Sequence, residues 1–206
     1  MALLGGKAAG LEAIVNLICA ADAPDKGVIR RTHSISWAIP GTPHVHKHHP
    51  LISSARFLAR LYEVDEKDYL IRVLEMADIG DAVNLRADKC PKAEMSRFLF
   101  SAGICLPFDQ YVLTNVNVGG KDDRPRFAEI VEELGRKAGI LLVTQDAKTA
   151  QKFCTEAYVF DKGQATYFDD MDAAAEYLRG VDSKEEDEED FFDSDPELEN
   201  LINVDF

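Results

Sequence analysis

Four short apolar runs, at residues 2–4, 111–116, 140–143 and 158–160, are separated by segments whose apolar residues recur at helical spacing. A strand buried on both faces has no polar face to show and reads as a continuous apolar run. Such runs alternating with helices fold into a largely parallel α/β sheet. Helices are expected at 11–19, 51–62, 66–76, 92–105, 126–137, 147–155 and 171–178. Further strands are expected at 28–31, 33–39 and 164–168, the last closing a hairpin through Asp161-Lys162-Gly163. Within 33–39, simple alternation puts Ile35, Trp37 and Ile39 on one face. Within 51–62, Ile52, Ala55, Phe57, Leu58 and Leu61 make the apolar side, and within 66–76 Tyr69, Leu70, Val73 and Leu74 point inward.

The first strand and first helix are joined by a small-residue loop, residues 5–10. Gly5 and Gly10 have the spacing of the glycines in G-x-x-x-x-G-K-[ST], a loop whose backbone N–H groups and helix N-terminus cradle phosphates. The two residues that carry the chemistry of that motif, a Lys for the outer phosphates and a hydroxyl for Mg²⁺, are here Leu11 and Glu12. Glu12 sets a negative charge where a phosphate would lie. Lys7, inside the loop, is the one alternative cation for a bound nucleotide.

Charge divides the chain. Of the net −14, −11 falls in residues 182–206, where twelve acidic residues face one basic residue, Lys184, and −3 remains for residues 1–181. The expected organisation is one domain over 1–181, with a helical insertion at about 51–105, and an acidic disordered tail. Phe191, Phe192, Leu198, Leu201, Ile202 and Phe206 punctuate that tail and give it the character of a short linear motif. No basic stretch suits nucleic acid. No apolar run reaches the roughly 18 residues that span a membrane. The four cysteines, Cys19, Cys90, Cys105 and Cys154, form no C-x-x-C pair. With no secretory leader read at the N-terminus, they are expected as reduced thiols of a cytoplasmic protein, Cys105 and Cys154 on apolar helix faces.

Two polar clusters compete for a functional reading. His44, His46 and His48 face one way if their segment is extended, which makes them a weak candidate for Zn²⁺ or Ni²⁺ against the alternative of a solvated loop. Asp122 and Asp123 sit beside Lys121, Arg124 and Arg126 and read as a solvated charge cluster.

Taken in order, residues 4–10 (LGGKAAG), 24–31 (PDKGVIRR), 34–37 (SISW), 56–62 (RFLARLY), 141–146 (LLVTQD) and Asp161-Lys162-Gly163 with Phe168-Asp169-Asp170 resemble the ATP-binding subunit of ABC transporters. The likeness is to the branch that exports capsular polysaccharides, and it covers about residues 2–179. The resemblance implies a P-loop NTPase-like fold with a helical subdomain, ATP and Mg²⁺ as cofactors, and exporter membrane subunits as partners. It implies a place at the cytoplasmic face of the inner membrane.

The departures from the pattern are as informative. Relative to the family, an N-terminal antiparallel β subdomain is expected to be missing. Leu11 and Glu12 replace the loop Lys and Ser/Thr, and Ala93 stands at the signature glycine. Thr114 and Asn115 stand for the Asp that holds Mg²⁺ and the Glu that polarises water, and Gln145 stands for the switch His. The coupling Gln has no counterpart among residues 44–50. The expectation is therefore a catalytically inactive homologue, with no cofactor unless family activity persists. It would bind exporter membrane subunits or a catalytic sister subunit. The competing readings are an ATPase that energises export and an acidic-tail adaptor unrelated to transport.

Overall fold

The computed structural model describes residues 1–6, 9–41 and 45–181. The chain separates into two compact units, residues 1–12 with 144–206, and residues 13–143. Lys7, His44 and the whole of the acidic tail lie outside the described residues.

The first unit holds strand β1 (Ala2–Gly5), which is buried at every position. In this unit β1 pairs in parallel with β5 (Ala157–Asp161), with Ala2 opposite Ala157 and Gly5 opposite Phe160. Strand β6 (Gln164–Phe168) returns antiparallel to β5. The turn between them has Lys162 and Gly163 both at positive φ, +45° and +78°, the conformation that matches hairpin twist. Helix α6 (Ala147–Phe153) is capped by Asp146, whose carboxylate accepts from the Lys148 N–H at 3.0 Å and the Thr149 hydroxyl at 2.6 Å. Residues 171–181 form helix α7, with Asp170 accepting from the Ala173 N–H at 2.9 Å.

In the second unit, β2 (Ile35–Ile39), β3 (Gln110–Leu113) and β4 (Gly139–Thr144) form consecutive parallel pairs. Helix α1 (Leu11–Ile18) precedes them in the chain. The expected strand at residues 28–31 is absent: the segment is irregular and Val28 is 84% exposed. Instead the Arg31 guanidinium donates to the carbonyls of Leu17 and Ile18, satisfying the open C-terminal end of α1.

The expected face of β2 is also wrong. Its register slips between Ile35 and Ala38, and Ser36, not Trp37, is fully buried beside Ile39. The Ser36 hydroxyl accepts from the Val112 N–H at 2.9 Å and donates to the Trp37 carbonyl at 2.8 Å. A side-chain oxygen thus does the work of a ladder carbonyl at the irregularity, and alternation fails there.

Residues 51–104 carry α2 (Leu51–Leu61), α3 (Glu66–Ala77), two short 3₁₀ turns and α4 (Lys92–Ile104). Tyr69, Val73, Leu58, Phe98 and Ala102 lie in their shared core. The buried Tyr69 hydroxyl donates to the Ala102 carbonyl at 2.7 Å. On α2 the buried set is Leu51, Ser54, Ala55, Leu58 and Ala59, while Phe57 and Leu61 are about half exposed, contrary to the expected apolar side. Cys105 and Cys154 are buried at helix C-caps, and burial pushes the Cys105 thiol up to about 11. Helix α5 (Arg124–Gly135) starts before the expected 126, with Pro125 in its first turn.

Candidate functional site

Gly5 ends β1 where the chain doubles back on itself. A Cβ on Gly5 would stand 2.5 Å from Ala9 Cβ and 3.1 Å from the Phe160 carbonyl oxygen, so only glycine fits this close approach. The Ala9 N–H donates to the Gly6 carbonyl at 3.2 Å. Gly10 follows at φ +67°, and α1 begins at once with Leu11. The strand–tight turn–helix geometry expected of a phosphate loop is present in the described part of this stretch.

Its side chains have other work. Leu11 Cδ2 reaches back to within 3.4 Å of the Cβ position of Gly5, packing against the loop's own start. Glu12 is exposed in the first turn of α1, where a carboxylate complements the helix dipole and offsets the partial positive charge that would draw a phosphate. Gln145, in the same unit, is exposed between β4 and the Asp146 cap. The Thr149 hydroxyl, followed by backbone N–H groups of Lys148 and Thr149, holds the Asp146 carboxyl below the usual carboxylate range.

In the second unit, Thr114 and Asn115 follow β3 directly. The Thr114 N–H and hydroxyl both donate to the Ile39 carbonyl, at 2.8 and 3.1 Å, which extends the β2–β3 pairing by one residue. Asn115 Oδ1 accepts from the Asn117 N–H at 2.8 Å, a local turn of the kind asparagine favours. Each is therefore bonded to backbone, Thr114 to the end of β2 and Asn115 to its own turn. Ala93 is exposed in the first turn of α4, behind Pro91, which offers no capping side chain.

The polar centre of this unit lies at residues that the sequence left as solvated. Asp123 Oδ1 accepts from the Arg97 guanidinium at 3.1 Å, and Oδ2 from the Gly120 N–H at 2.7 Å. The two side chains are only 17% and 22% exposed. The Gly120 N–H, and after it the Arg97 guanidinium, holds the Asp123 carboxyl below its usual range against the opposing effect of desolvation. Arg97 Nε is buried with no partner among the described residues. Gly119 is at φ +73°, and any Cβ there would collide with the Asp123 carboxylate. The legible signal was an Asp three residues after a Gly-Gly pair and two before a Pro, which is helix-start chemistry.

His44 lies outside the described residues, and His46 and His48 have different neighbours. The segment turns, with the His49 N–H donating to the His46 carbonyl at 3.0 Å. The His46 and His49 rings lie tilted at 54° to each other, centroids 5.8 Å apart. His48 Nδ1 lies 2.7 Å from the Arg86 guanidinium and 3.5 Å from the Asp88 carboxylate. Backbone bonds from Ala87 to His49 and from Asp88 to Lys47 pin the turn down. Among the described residues no group of three His, Cys, Asp or Glu could hold a metal ion.

Comparison with known proteins places this geometry. The chain is 29% identical over 180 residues to "ATP-binding protein BexA" of Haemophilus influenzae, covering 85% of this chain and 81% of that protein. It is 27% identical over 183 residues to "Capsule polysaccharide export ATP-binding protein CtrD" of Neisseria meningitidis serogroup B, covering 87% and 83%. The chain is a homologue of capsule-export ATP-binding proteins. No family model matches it. A solved "ATP binding subunit of ABC transporter" superposes on this homologue with a TM-score of 0.71 over 89% of this chain and 84% of that one, at 21% identity. "RNase-L Inhibitor" gives a TM-score of 0.62 at 14% identity; the homologue covers 33% of that longer chain, and 82% of its own length is matched. The fold is that of an ABC ATP-binding domain, as the sequence implied.

Proposed function

We propose that the chain acts in capsular polysaccharide export as a non-catalytic relative of the ATP-binding subunit, working through contacts with exporter membrane subunits or with a catalytic sister subunit. The observation that carries this reading is the local employment of Thr114 and Asn115. At the positions that resemble the Mg²⁺ ligand and the water-polarising Glu, both side chains are neutral and both spend their oxygens on the neighbouring backbone. Leu11, packed on its own loop, offers no charge to a phosphate, and Glu12 opposes one. Ala93 and Gln145 complete the set of lost groups. These donors do not fit Mg·ATP.

Phosphoryl transfer rests on positioning and charge stabilisation. Removing one donor to a developing charge costs about 10²–10³ in rate. Losing cation, metal ligand and water-polarising group together brings turnover to background, even with strong non-additivity.

Titration of the full chain with Mg·ATP by calorimetry is expected to give no binding tighter than about 100 µM, about −5.5 kcal/mol. A tighter constant would overturn the empty site, in line with the relatives' names as ATP-binding proteins, and turnover above background would instead establish an ATPase subunit. In the variant Leu11→Lys/Glu12→Ser, weak nucleotide binding is expected to return without turnover, because Thr114 and Asn115 are unchanged.

The partner surface we infer is α2. On its exposed side Arg56 and Arg60 both point at Glu66, 3.4 and 3.0 Å away, and are committed within the chain. The exposed pair one turn apart, Phe57 and Leu61, supplies the apolar centre of the contact, with the two arginines as its rim. No helix among the described residues is long and apolar enough to cross a membrane. In this reading the membrane is reached through the exporter's own subunits at its cytoplasmic face.

A further inference from the structure

Helix α3, the α4–β3 connection and helix α5 enclose a groove of about 680 Å³ that lies wholly within the second unit. That volume falls in the range of small-molecule sites, about 300–1,000 Å³. The grooves beside α7 in the first unit reach only 340 and 350 Å³. The walls are apolar side chains that stay half-buried in the folded chain: Val64 and Met76 at the two ends of α3, Phe108 before β3, and Ile130 and Leu134 on α5. The last two are four residues apart and so share one helix face. The hydroxyl on the floor is already spent. Tyr111 donates it to the Leu106 carbonyl at 2.6 Å and accepts with it from the Phe108 N–H at 3.3 Å.

The charged residues lining the groove are three cations, Arg72, Arg126 and Lys137, against two carboxylates, Glu75 and Glu133, in a chain whose net charge is −14. Two of the cations are committed. Lys137 pairs with Glu133 at 2.5 Å. Arg126 donates to the Glu75 and Met76 carbonyls, at 3.0 and 2.9 Å, and so satisfies the C-terminal end of α3. Arg72 is exposed and makes no hydrogen bond or ion pair among the described residues, not even with Glu75 one turn along its helix. Burial raises the Cys105 thiol and the Tyr111 phenol of the floor, and the Arg72 charge partly offsets that rise. The guanidinium therefore stands within electrostatic reach of the floor while open to solvent.

We propose that this groove binds a small amphipathic monoanion, a free carboxylate or sulfonate whose head sits on the Arg72 guanidinium and whose apolar body lies against Met76, Phe108, Ile130 and Leu134. A guanidinium takes such a head in two parallel charge-assisted bonds, and the apolar body keeps water from the pair, which strengthens it. A neutral apolar molecule leaves Arg72 unpaired, and a polyanion meets the carboxylates of Glu75 and Glu133. The site uses no residue of 5–12, so the proposal holds whether or not the chain binds nucleotide.

Fluorescence titration of the full chain, in nucleotide-free buffer, tests it with two probes. One is 1-anilinonaphthalene-8-sulfonate; the other is N-phenyl-1-naphthylamine, the same aromatic body without the sulfonate. The sulfonate is expected to saturate a single site. Arg72→Gln should weaken it about tenfold while the affinity of the neutral amine changes by less than about twofold. Arg72→Lys, which keeps the charge, should restore most of the sulfonate's affinity. Arg72 is exposed, so both variants should retain the native circular dichroism. In ¹⁵N-labelled protein, amide shifts produced by the sulfonate should centre on Met76, Phe108 and Leu134. Absence of saturable binding, an equal loss for both probes in Arg72→Gln, an unchanged sulfonate affinity in that variant, or shifts centred on the exposed Phe57 and Leu61 would each overturn the proposal. Sedimentation of the chain with phosphatidylglycerol vesicles that Arg72→Gln abolishes would also overturn it, because the ligand would then be a membrane lipid.

Discussion

The Asp123 carboxylate divides its oxygens between two elements, Oδ1 taking the Arg97 guanidinium of α4 and Oδ2 the N–H of Gly120 in the β3–α5 connection. Both side chains are largely buried, so removing the acid strands a buried cation. Asp123→Ala is expected to cost about 2–3 kcal/mol in urea unfolding. Asp123→Asn should cost less, because its amide oxygen still accepts from Gly120. The folded-state pKa of Asp123 is depressed, so its contribution is fully present above the unfolded value of about 3.9 and is lost as pH falls through the folded value. The stability gap between the native chain and Asp123→Asn should therefore narrow in acid; an equal gap at neutral pH and at about pH 3 would show that the charge does not stabilise the fold.

Elements were legible where one rule governed them. The runs in β1, β3 and β4 and the hairpin at Lys162-Gly163 follow from continuous apolarity and turn chemistry alone. Errors arose where a side chain replaced a backbone group, as Ser36 does in β2 and Arg31 does at the end of α1. Helix α2 shows a different cause. Counting by size put Phe57 and Leu61 inside, yet the positions that face α3 and α4 hold small residues, with Ser54 5% and Ala59 0% exposed. Close helix approach selects for small side chains, which a hydrophobic count undervalues. Ala59→Leu should thus overpack the core and cost about 1–3 kcal/mol, while Phe57→Ser should stay within about 0.5 kcal/mol. Thermal melts of the two variants check this, and the opposite order would mean that α2 is rotated in solution. The motif slots of the candidate site were readable from their order in the chain. What occupies them was not: the bonds of Thr114 and Asn115 and the Arg97–Asp123 pair depend on which strand ends and helix starts meet.

At the scale of the molecule, charge and apolar surface make different demands on a partner. Residues 1–181 carry only −3, and the remaining −11 sits in 182–206. A chain of that balance gains nothing from an anionic lipid surface and has little field to steer a docking event. Association with membrane subunits must then rest on short-range burial, and α2 offers Phe57 at 51% and Leu61 at 50% exposure, with Arg56 and Arg60 held beside them by Glu66. Such a contact is insensitive to salt, whereas a charge-driven one weakens steeply. Tagged protein recovered from native membranes is expected to bring exporter membrane subunits or a catalytic sister subunit with it, and to keep them through about 0.5 M salt. Phe57→Ser/Leu61→Ser should abolish that recovery while leaving circular dichroism and the melting transition unchanged, since neither side chain belongs to the core. Recovery that survives the double variant would move the contact off α2. Recovery that collapses with salt would assign it to charge, with residues 182–206 as the contact. If no exporter component is recovered at all, the transport reading falls and the adaptor reading takes its place.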